Sequence, residues 1–173
     1  MQNPQMIVLG LLSIGLRYGF EMEKFAQETQ MRRWAAIGAS TIYKTLKDLE
    51  RDGAITAKKE KGGPGPARLS FRLTAGGRRR FRSLVVEAMA SDASVYSDRI
   101  AGLVFLPAAP RSDALAAIEA CDAGLEEADA ILAAHAERYS GDAIADAVIG
   151  FYRDVHQAER RALTKVRKAL APK

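Results

Sequence analysis

The chain has 173 residues, of which 48% are hydrophobic, and this length and composition permit one large domain or two small ones, each with a core. No apolar run approaches the ~18 residues that a membrane-spanning helix needs. Cys121 is the single cysteine, so an internal disulfide is excluded, and the lack of disulfides is typical of proteins in a reducing cytoplasm. The net charge of +5 is uneven, because residues 1–90 hold 16 Lys and Arg against 8 Asp and Glu, and residues 91–173 hold 10 against 13.

Three helices are predicted in the first part of the chain. Residues 4–14 form an apolar run with Pro4 in its first turn, and the lack of a positively charged start favours a buried helix over a signal peptide. A second helix is predicted from Tyr18 to about residue 31, and its apolar side consists of Phe20, Met22, Phe25 and Ala26. A third helix begins at residue 39 or 40. Gly53 follows the third helix in the position of a C-cap glycine.

A two-stranded hairpin is predicted next. Residues 54–61 and 67–74 are consistent with antiparallel strands, since polar and apolar residues alternate in the second, and the Gly/Pro turn at 62–66 joins them. Thr74 is predicted to N-cap a fourth helix that carries four arginines. Three helices, a hairpin and a further helix, in this order, predict a winged helix-turn-helix domain over residues 1–90.

The second half is predicted to be helical throughout. Residues 95–106 are apolar enough for a buried helix, which two prolines end. Two long helices are predicted over 112–139 and 142–171, with the mixed three- and four-residue apolar spacing of a coiled-coil-like hairpin. These helices present more apolar surface than one hairpin can bury, so residues 91–173 are predicted to be a helical dimerisation domain. The expected fold class is mainly α with a small β-hairpin.

The third predicted helix has two different faces. Ile42, Leu46 and Leu49 lie on one buried stripe, which leaves hydroxyl groups and then cations on the exposed side. A recognition helix needs that mixture, because its N-terminal residues reach base edges or phosphates while Lys and Arg neutralise the DNA backbone. The alternative is an ordinary solvated face with ion pairs such as Lys44 with Asp48.

The predicted hairpin carries cations around its Gly/Pro tip. Lys58, Lys59, Lys61 and Arg68 flank the turn, whose small residues let the backbone come close to a partner. A wing beside a recognition helix contacts the sugar–phosphate backbone or the minor groove, so these cations are predicted phosphate contacts. The basic charge of the first half favours nucleic acid, ahead of an acidic protein or a membrane surface, as the anionic partner.

Three stretches resemble the successive signatures of the PadR family of bacterial transcriptional regulators: YGFEMEKF, WAAIGASTIYKTLKDLERDGAI and GPGPARLSFRLTAGGRRRF. The resemblance covers residues 5–85, and the long helical second half is similar to that of the AphA-like members. It implies a homodimeric winged-helix repressor, less often an activator, that binds a palindromic operator in double-stranded DNA. For some members it also implies a small aromatic effector, whereas others respond to none and bind DNA constitutively.

The resemblance carries candidate DNA contacts to eight positions of this chain. These are Tyr18, Ser40, Thr41, Tyr43, Lys44, Lys47, Lys61 and Arg68. Two positions depart from the family pattern, since Lys44 stands where a proline often follows the tyrosine and Ala39 stands where glycine is common. Lys44 adds a cation, so the operator preference of relatives does not transfer to this chain. Trp34 is expected to pack between the second and third helices.

An enzyme is not expected, and neither is a cofactor. The two histidines, His135 and His156, fall on different predicted helices, and no GxSxG, HExxH, CxxC or P-loop motif occurs. A metal site formed by both histidines and Cys121 would match no known ligand spacing, so polar groups in a dimer seam are the favoured interpretation. The alternative function is a winged-helix protein-interaction adaptor, which would lack the salt dependence that counterion release imposes on DNA binding.

Overall fold

The chain forms two compact units, Met1–Ala93 and Ser94–Lys173. The computed structural model describes residues 3–31, 35, 37–60, 68–91 and 98–171. The predicted Gly/Pro tip of the hairpin, Lys61 and Trp34 lie outside these residues. Within the described ranges no helix is long and apolar enough to cross a membrane.

The first unit has the predicted winged helix-turn-helix architecture. Its elements in chain order are α1 (Pro4–Ser13), α2 (Gly19–Glu28), α3 (Ala39–Arg51), β1 (Ile55–Glu60), β2 (Arg68–Leu73) and α4 (Ala75–Ala90). The two strands pair antiparallel, with Ile55 opposite Leu73 and Glu60 opposite Arg68. Gly53 has a φ of +70° just after α3, where a left-handed residue ends a helix, as the sequence predicted.

One apolar core holds the first unit together. Its largest fully buried apolar side chains come from all three leading helices and from β1: Val8, Leu9, Met22, Ile42, Leu46, Leu49 and Ile55. The predicted stripe of α3 is therefore confirmed, because it points into this core and packs against α1 and α2. Burial of a Leu or Ile side chain contributes about 1.5–3 kcal/mol, so the stripe fixes the rotation of α3 about its own axis.

The start of α4 is locked against the hairpin by Thr74 and Gly77. The Thr74 hydroxyl accepts a hydrogen bond from the Gly77 amide at 2.9 Å, which confirms it as the N-cap. The same oxygen lies 2.9 Å from the Gly53 carbonyl oxygen and 3.0 Å from that of Ala54. A Cβ atom at position 77 would stand 1.9 Å from the Ala54 carbonyl oxygen, so only glycine permits this approach.

Replacing Thr74 with Ala is expected to lower the free energy of unfolding of the first unit by about 1–2 kcal/mol, because the α4 N-terminus loses its cap. Thr74→Ser keeps the hydroxyl and should stay within a few tenths of a kcal/mol of the parent, on the same scale of cap energies. Urea denaturation followed by circular dichroism measures both variants. An alanine variant as stable as the serine variant would contradict the capping role.

The second unit is a helical hairpin with a short leading helix. It contains α5 (Asp98–Phe105), a 3₁₀ turn, and the long helices α6 (Arg111–Arg138) and α7 (Ala143–Ala169). Asp142 caps α7 by accepting from the backbone amides of Ile144 and Ala145 at 2.9 and 3.1 Å. Ile118 and Leu125 of α6 pack with Leu163 of α7 in a small buried seam. The predicted helical hairpin is thus present.

The burial expected of the helix at 95–106 is wrong for the described part, α5. Ile100, Val104 and Phe105 are 54, 66 and 73% exposed, and α5 contains no buried residue. Leu103 on this helix, and Leu106 just after it, pack against the seam of α6 and α7. The helix is therefore amphipathic within one chain, with an apolar side left open.

Candidate nucleic-acid interface

The exposed face of α3 offers hydroxyl groups at its N-terminal end and lysines after them. Ser40, Lys44 and Lys47 are exposed, and Thr41 is half-buried. Asp48 pairs with Arg51 at 3.0 Å rather than with Lys44, so the ion pair of the solvated-face interpretation is not formed. Neither lysine forms an ion pair with any residue that the structure describes. Both ammonium groups are available to an anion.

The N-terminus of α1 forms a wall beside this face. Asn3, Pro4 and Gln5 line an open groove together with residues of α3 that include Ser40, Thr41, Lys44 and Asp48. The Asp48 carboxylate is paired with Arg51. Amide and hydroxyl groups can each donate or accept hydrogen bonds, so the groove is suited to phosphate oxygens as well as base edges. The sequence did not single out Asn3 or Gln5, because their nearness to α3 depends on packing between helices.

Tyr43 is held against the start of α2. Its side chain is 49% exposed, yet a Cβ atom added at Gly19 would stand 2.5 Å from its Cε1 atom. Gly19 therefore leaves the space in which the tyrosine ring lies. The packed edge of the ring orients its exposed part, which supports the candidate role of Tyr43 as an edge residue of the α3 face.

Tyr18 lies beside the turn end of the hairpin, where β1 ends at Glu60, rather than on the α3 face. It is the N-cap residue of α2, and its hydroxyl donates to the Glu60 carboxylate of β1 at 2.8 Å. This hydrogen bond is the largest cause of a raised pKa for Tyr18 and a lowered pKa for Glu60. The phenol is thus engaged in joining α2 to the hairpin, with its ring stacked 5.5 Å from that of Phe20.

Arg68 opens β2 in the same neighbourhood. Its guanidinium carbon lies 5.2 Å from the centroid of the Phe20 ring, within cation–π distance. Phe20 is 45% exposed, although its helical spacing assigned it to the apolar side of α2. We call Tyr18, Phe20, Glu60 and Arg68 the wing cluster. Phe20 and Glu60 were missed as site residues, since only the fold brings α2 and the hairpin together.

The structure therefore separates the described candidates into two groups. Ser40, Thr41, Lys44 and Lys47 share the face of α3, whereas Tyr18 and Arg68 belong to the wing cluster. Tyr43 connects the groups through its contact with Gly19, the residue after Tyr18. Lys61 lies outside the described residues, and its role stays a prediction.

The Tyr18–Glu60 hydrogen bond is expected to make stability depend on pH. The folded pKa of Glu60 lies below its ordinary value of 4.5, so its contribution is present above that value and is lost as pH falls through the lowered one. Tyr18→Phe should therefore show a smaller loss of unfolding free energy than the parent between pH 7 and about pH 3. Denaturation at both pH values measures this.

Tyr152→Phe is the matched control for that experiment. Tyr152 lies in the second unit, and burial alone raises the pKa of its phenol. Its removal should leave the acid-range dependence on pH unchanged. The assignment fails if Tyr18→Phe keeps the full pH dependence of the parent.

The polar groups of the second unit pair with one another. His156 Nδ1 lies 2.6 Å from Asp129 Oδ1, and Arg160 donates to the other oxygen of the same carboxylate at 2.5 Å. These two partners lower the pKa of Asp129, with the His156 hydrogen bond the larger cause. His135 instead packs against Tyr139. Among the residues described, no group of three or more His, Cys, Asp or Glu could hold a metal ion.

Comparisons with known proteins agree with this geometry. Residues 8–83 match the model of the "Transcriptional regulator PadR-like family". The search of curated proteins gave no match.

Solved structures similar to this chain span nearly its whole length. The protein smu.1604c of Streptococcus mutans UA159 has a TM-score of 0.76 at 22% identity, covering 97% of this chain and 99% of its own. PadR of Bacillus subtilis in complex with operator DNA has a TM-score of 0.70 at 19% identity, and the match covers 96% of this chain and 98% of that protein. The virulence activator AphA of Vibrio cholerae has a TM-score of 0.55 at 15% identity, and the match covers 97% of this chain and 92% of that protein. At these identities the likeness concerns the fold.

Proposed function

Since residues 8–83 match the model of the transcriptional regulator PadR-like family, we propose that the chain is a PadR-like, sequence-specific DNA-binding repressor that acts as a homodimer on a palindromic operator. The observation that carries the proposal is the exposed face of α3. Its hydroxyl groups and unpaired lysines stand on a helix whose opposite stripe is fully buried. An α-helix fits the major groove of B-DNA, where base edges are distinguishable.

The face of α3 suits the two tasks of a recognition helix. Ser40 and Thr41 can hydrogen-bond base edges or phosphates, and Lys44 and Lys47 can neutralise phosphates or donate to guanine. Rigid placement matters because a reading head must keep its side chains in register with base pairs. The similar Bacillus subtilis structure holds operator DNA, which supports the same partner for this chain.

The homodimer is proposed from an apolar stripe on α7. Ile144, Val148 and Phe151 are 76, 51 and 59% exposed and follow the i, i+4, i+7 spacing of one helix face. This stripe lies beside the residues of α7 that pack against α6, so the hairpin does not cover it. A second copy that buries the stripe would pair two reading heads, as a palindromic operator requires.

Repression follows from such binding when an operator overlaps the start site of a gene, because the bound dimer then excludes the polymerase. A small aromatic effector stays an expectation from the family, and Trp34, whose fluorescence would report its binding, lies outside the described residues. A cytoplasmic location is part of this proposal, because a regulator must reach the DNA that it controls. Cys121, the only cysteine of the sequence, is free, in keeping with a reducing compartment.

Selection of bound sequences from a random DNA pool tests the function. The expected result is an inverted repeat, bound with an affinity that falls steeply as salt rises, because phosphate contacts release counterions. A winged-helix adaptor for proteins would yield no sequence motif and no such salt dependence. That result would reject the proposed function.

A further inference from the structure

A second basic surface lies at the other end of α1 from the groove beside α3. Four arginines line an open groove of about 610 Å³: Arg17, Arg72, Arg78 and Arg82. They come from the turn before α2, from β2 and from α4, so the fold rather than a run of sequence brings them together. We call these four residues the arginine groove.

Among the residues that the structure describes, no Asp or Glu lines the arginine groove. Arg17, Arg72 and Arg78 form no ion pair with any residue in the described part of the chain, and the Arg82 Nε donates only to the Arg78 carbonyl at 3.4 Å. Arg80, one residue away from the groove, is paired with Asp52 at 3.4 Å and Gln5 at 2.6 Å. Four guanidinium groups around one groove repel one another until an anion binds.

The apolar lining gives little room for an apolar ligand. Leu12 and Phe71 are only 9 and 7% exposed, because they belong to the core of the first unit. Leu73 and Phe81 also pack against that core. The groups that the groove offers to solvent are therefore mainly guanidinium groups, which bind phosphates through paired N–H donors. A phosphate-rich partner fits better than an acidic peptide that needs apolar anchors.

The arginine groove is connected to the wing cluster. The Phe71 amide donates to the Arg17 carbonyl at 2.8 Å, which fixes β2 to the turn that precedes α2. Arg17 is followed by Tyr18, whose hydroxyl contacts Glu60. Contacts thus run from α3 through Gly19 and the wing cluster to the groove, within one compact unit.

We propose that the arginine groove binds the sugar–phosphate backbone of DNA that flanks the sequence contacted by α3 and the wing. The inference rests on the proposed function and extends its footprint beyond the bases that are read. Contacts of this kind add affinity without sequence preference, because phosphates are the same at every step.

The test compares two duplexes and two triple variants. One duplex contains only the selected operator, and the other extends it by about one helical turn, roughly 10 base pairs, at each end. Arg72→Gln, Arg78→Gln and Arg82→Gln are combined in the first variant. The control combines Arg79→Gln, Lys24→Gln and Lys165→Gln, which removes the same charge from exposed residues outside the groove.

The expected result is confined to the extended duplex. The salt slope for binding of the extended duplex should be lower in the groove variant by about 0.9 unit for each phosphate that is no longer neutralised. Each such phosphate changes the ratio of the affinities at 50 and 200 mM salt by about 3.5-fold. The affinity of the groove variant for the short operator should match that of the control variant. Wild-type protein that binds no duplex would contradict the proposed function as well.

Three other outcomes overturn the inference alone. If the groove variant loses the same affinity for both duplexes, the arginines contact the operator itself and not the flanking DNA. In a second outcome, the groove variant binds DNA as the wild type does but loses an increase in melting temperature that inorganic pyrophosphate produces in the wild type. The groove would then be a site for a small anion. Unchanged DNA binding without such an increase would leave the arginines as ordinary surface charge.

Discussion

The double variant Lys44→Ala and Lys47→Ala is expected to bind the operator about 100-fold more weakly than the parent, taking each contact at roughly 1.4 kcal/mol. Both ammonium groups lie on the exposed face of α3 without an ion-pair partner among the described residues, so their removal should cost the fold little. If both contact phosphates, the salt slope of binding should also fall by about two units. Fluorescence anisotropy across a salt series measures both quantities.

Two lysines elsewhere provide the control for this variant. Lys24 on α2 and Lys165 on α7 are exposed, and neither lies on the face of α3. Lys24→Ala with Lys165→Ala removes the same charge and should weaken binding by less than about threefold, as distant surface charges are screened at physiological salt. If the two double variants bind the operator with equal affinity, α3 is not part of the DNA interface.

The second large effect is expected in the second unit. Val148→Glu with Phe151→Glu should convert a dimer to monomers, because it places two carboxylates on the exposed apolar stripe of α7. Affinity for the palindromic operator should fall by roughly 100- to 10,000-fold, since the two half-sites are then bound independently. Analytical ultracentrifugation measures the mass, and titration with full and half operators measures the affinity.

The control places two glutamates elsewhere on the same helix. Gln157 and Thr164 are exposed, and the nine residues between positions 148 and 157 turn the helix by about 180°, away from the stripe. Gln157→Glu with Thr164→Glu should remain dimeric and retain operator binding. If Val148→Glu with Phe151→Glu also sediments as a dimer, the protomers associate through another surface.

Local signals predicted much of the first unit. Gly53 and Thr74 act on neighbouring backbone groups, so their roles in ending α3 and starting α4 are readable from the sequence. The buried stripe of α3 is likewise a property of one helix. The α3 face that carries the candidate DNA contacts follows directly from that stripe.

Contacts between distant parts of the chain were not predictable in the same way. The hydroxyl of Tyr18 meets Glu60 across 42 residues, and Gly19 makes room for Tyr43 on another helix. Phe20 and α5 show a related difficulty, because apolar spacing does not say whether a side chain meets its own chain or solvent. Each of these outcomes depends on tertiary packing, which overrides local pattern.

The close approach of α4 to the hairpin affects how a saturation mutagenesis map of this protein should be interpreted. Position 77 would tolerate no side chain, since even a methyl group would overlap the Ala54 carbonyl. Gly77 stands among the arginines of α4. In a selection for reporter repression, its variants would lose repression because they misfold, and they would look the same as variants that lose a DNA contact. Measuring cellular abundance in parallel would separate them: variants at position 77 would be depleted from the folded protein, whereas variants at Lys44 would be abundant but would repress more weakly.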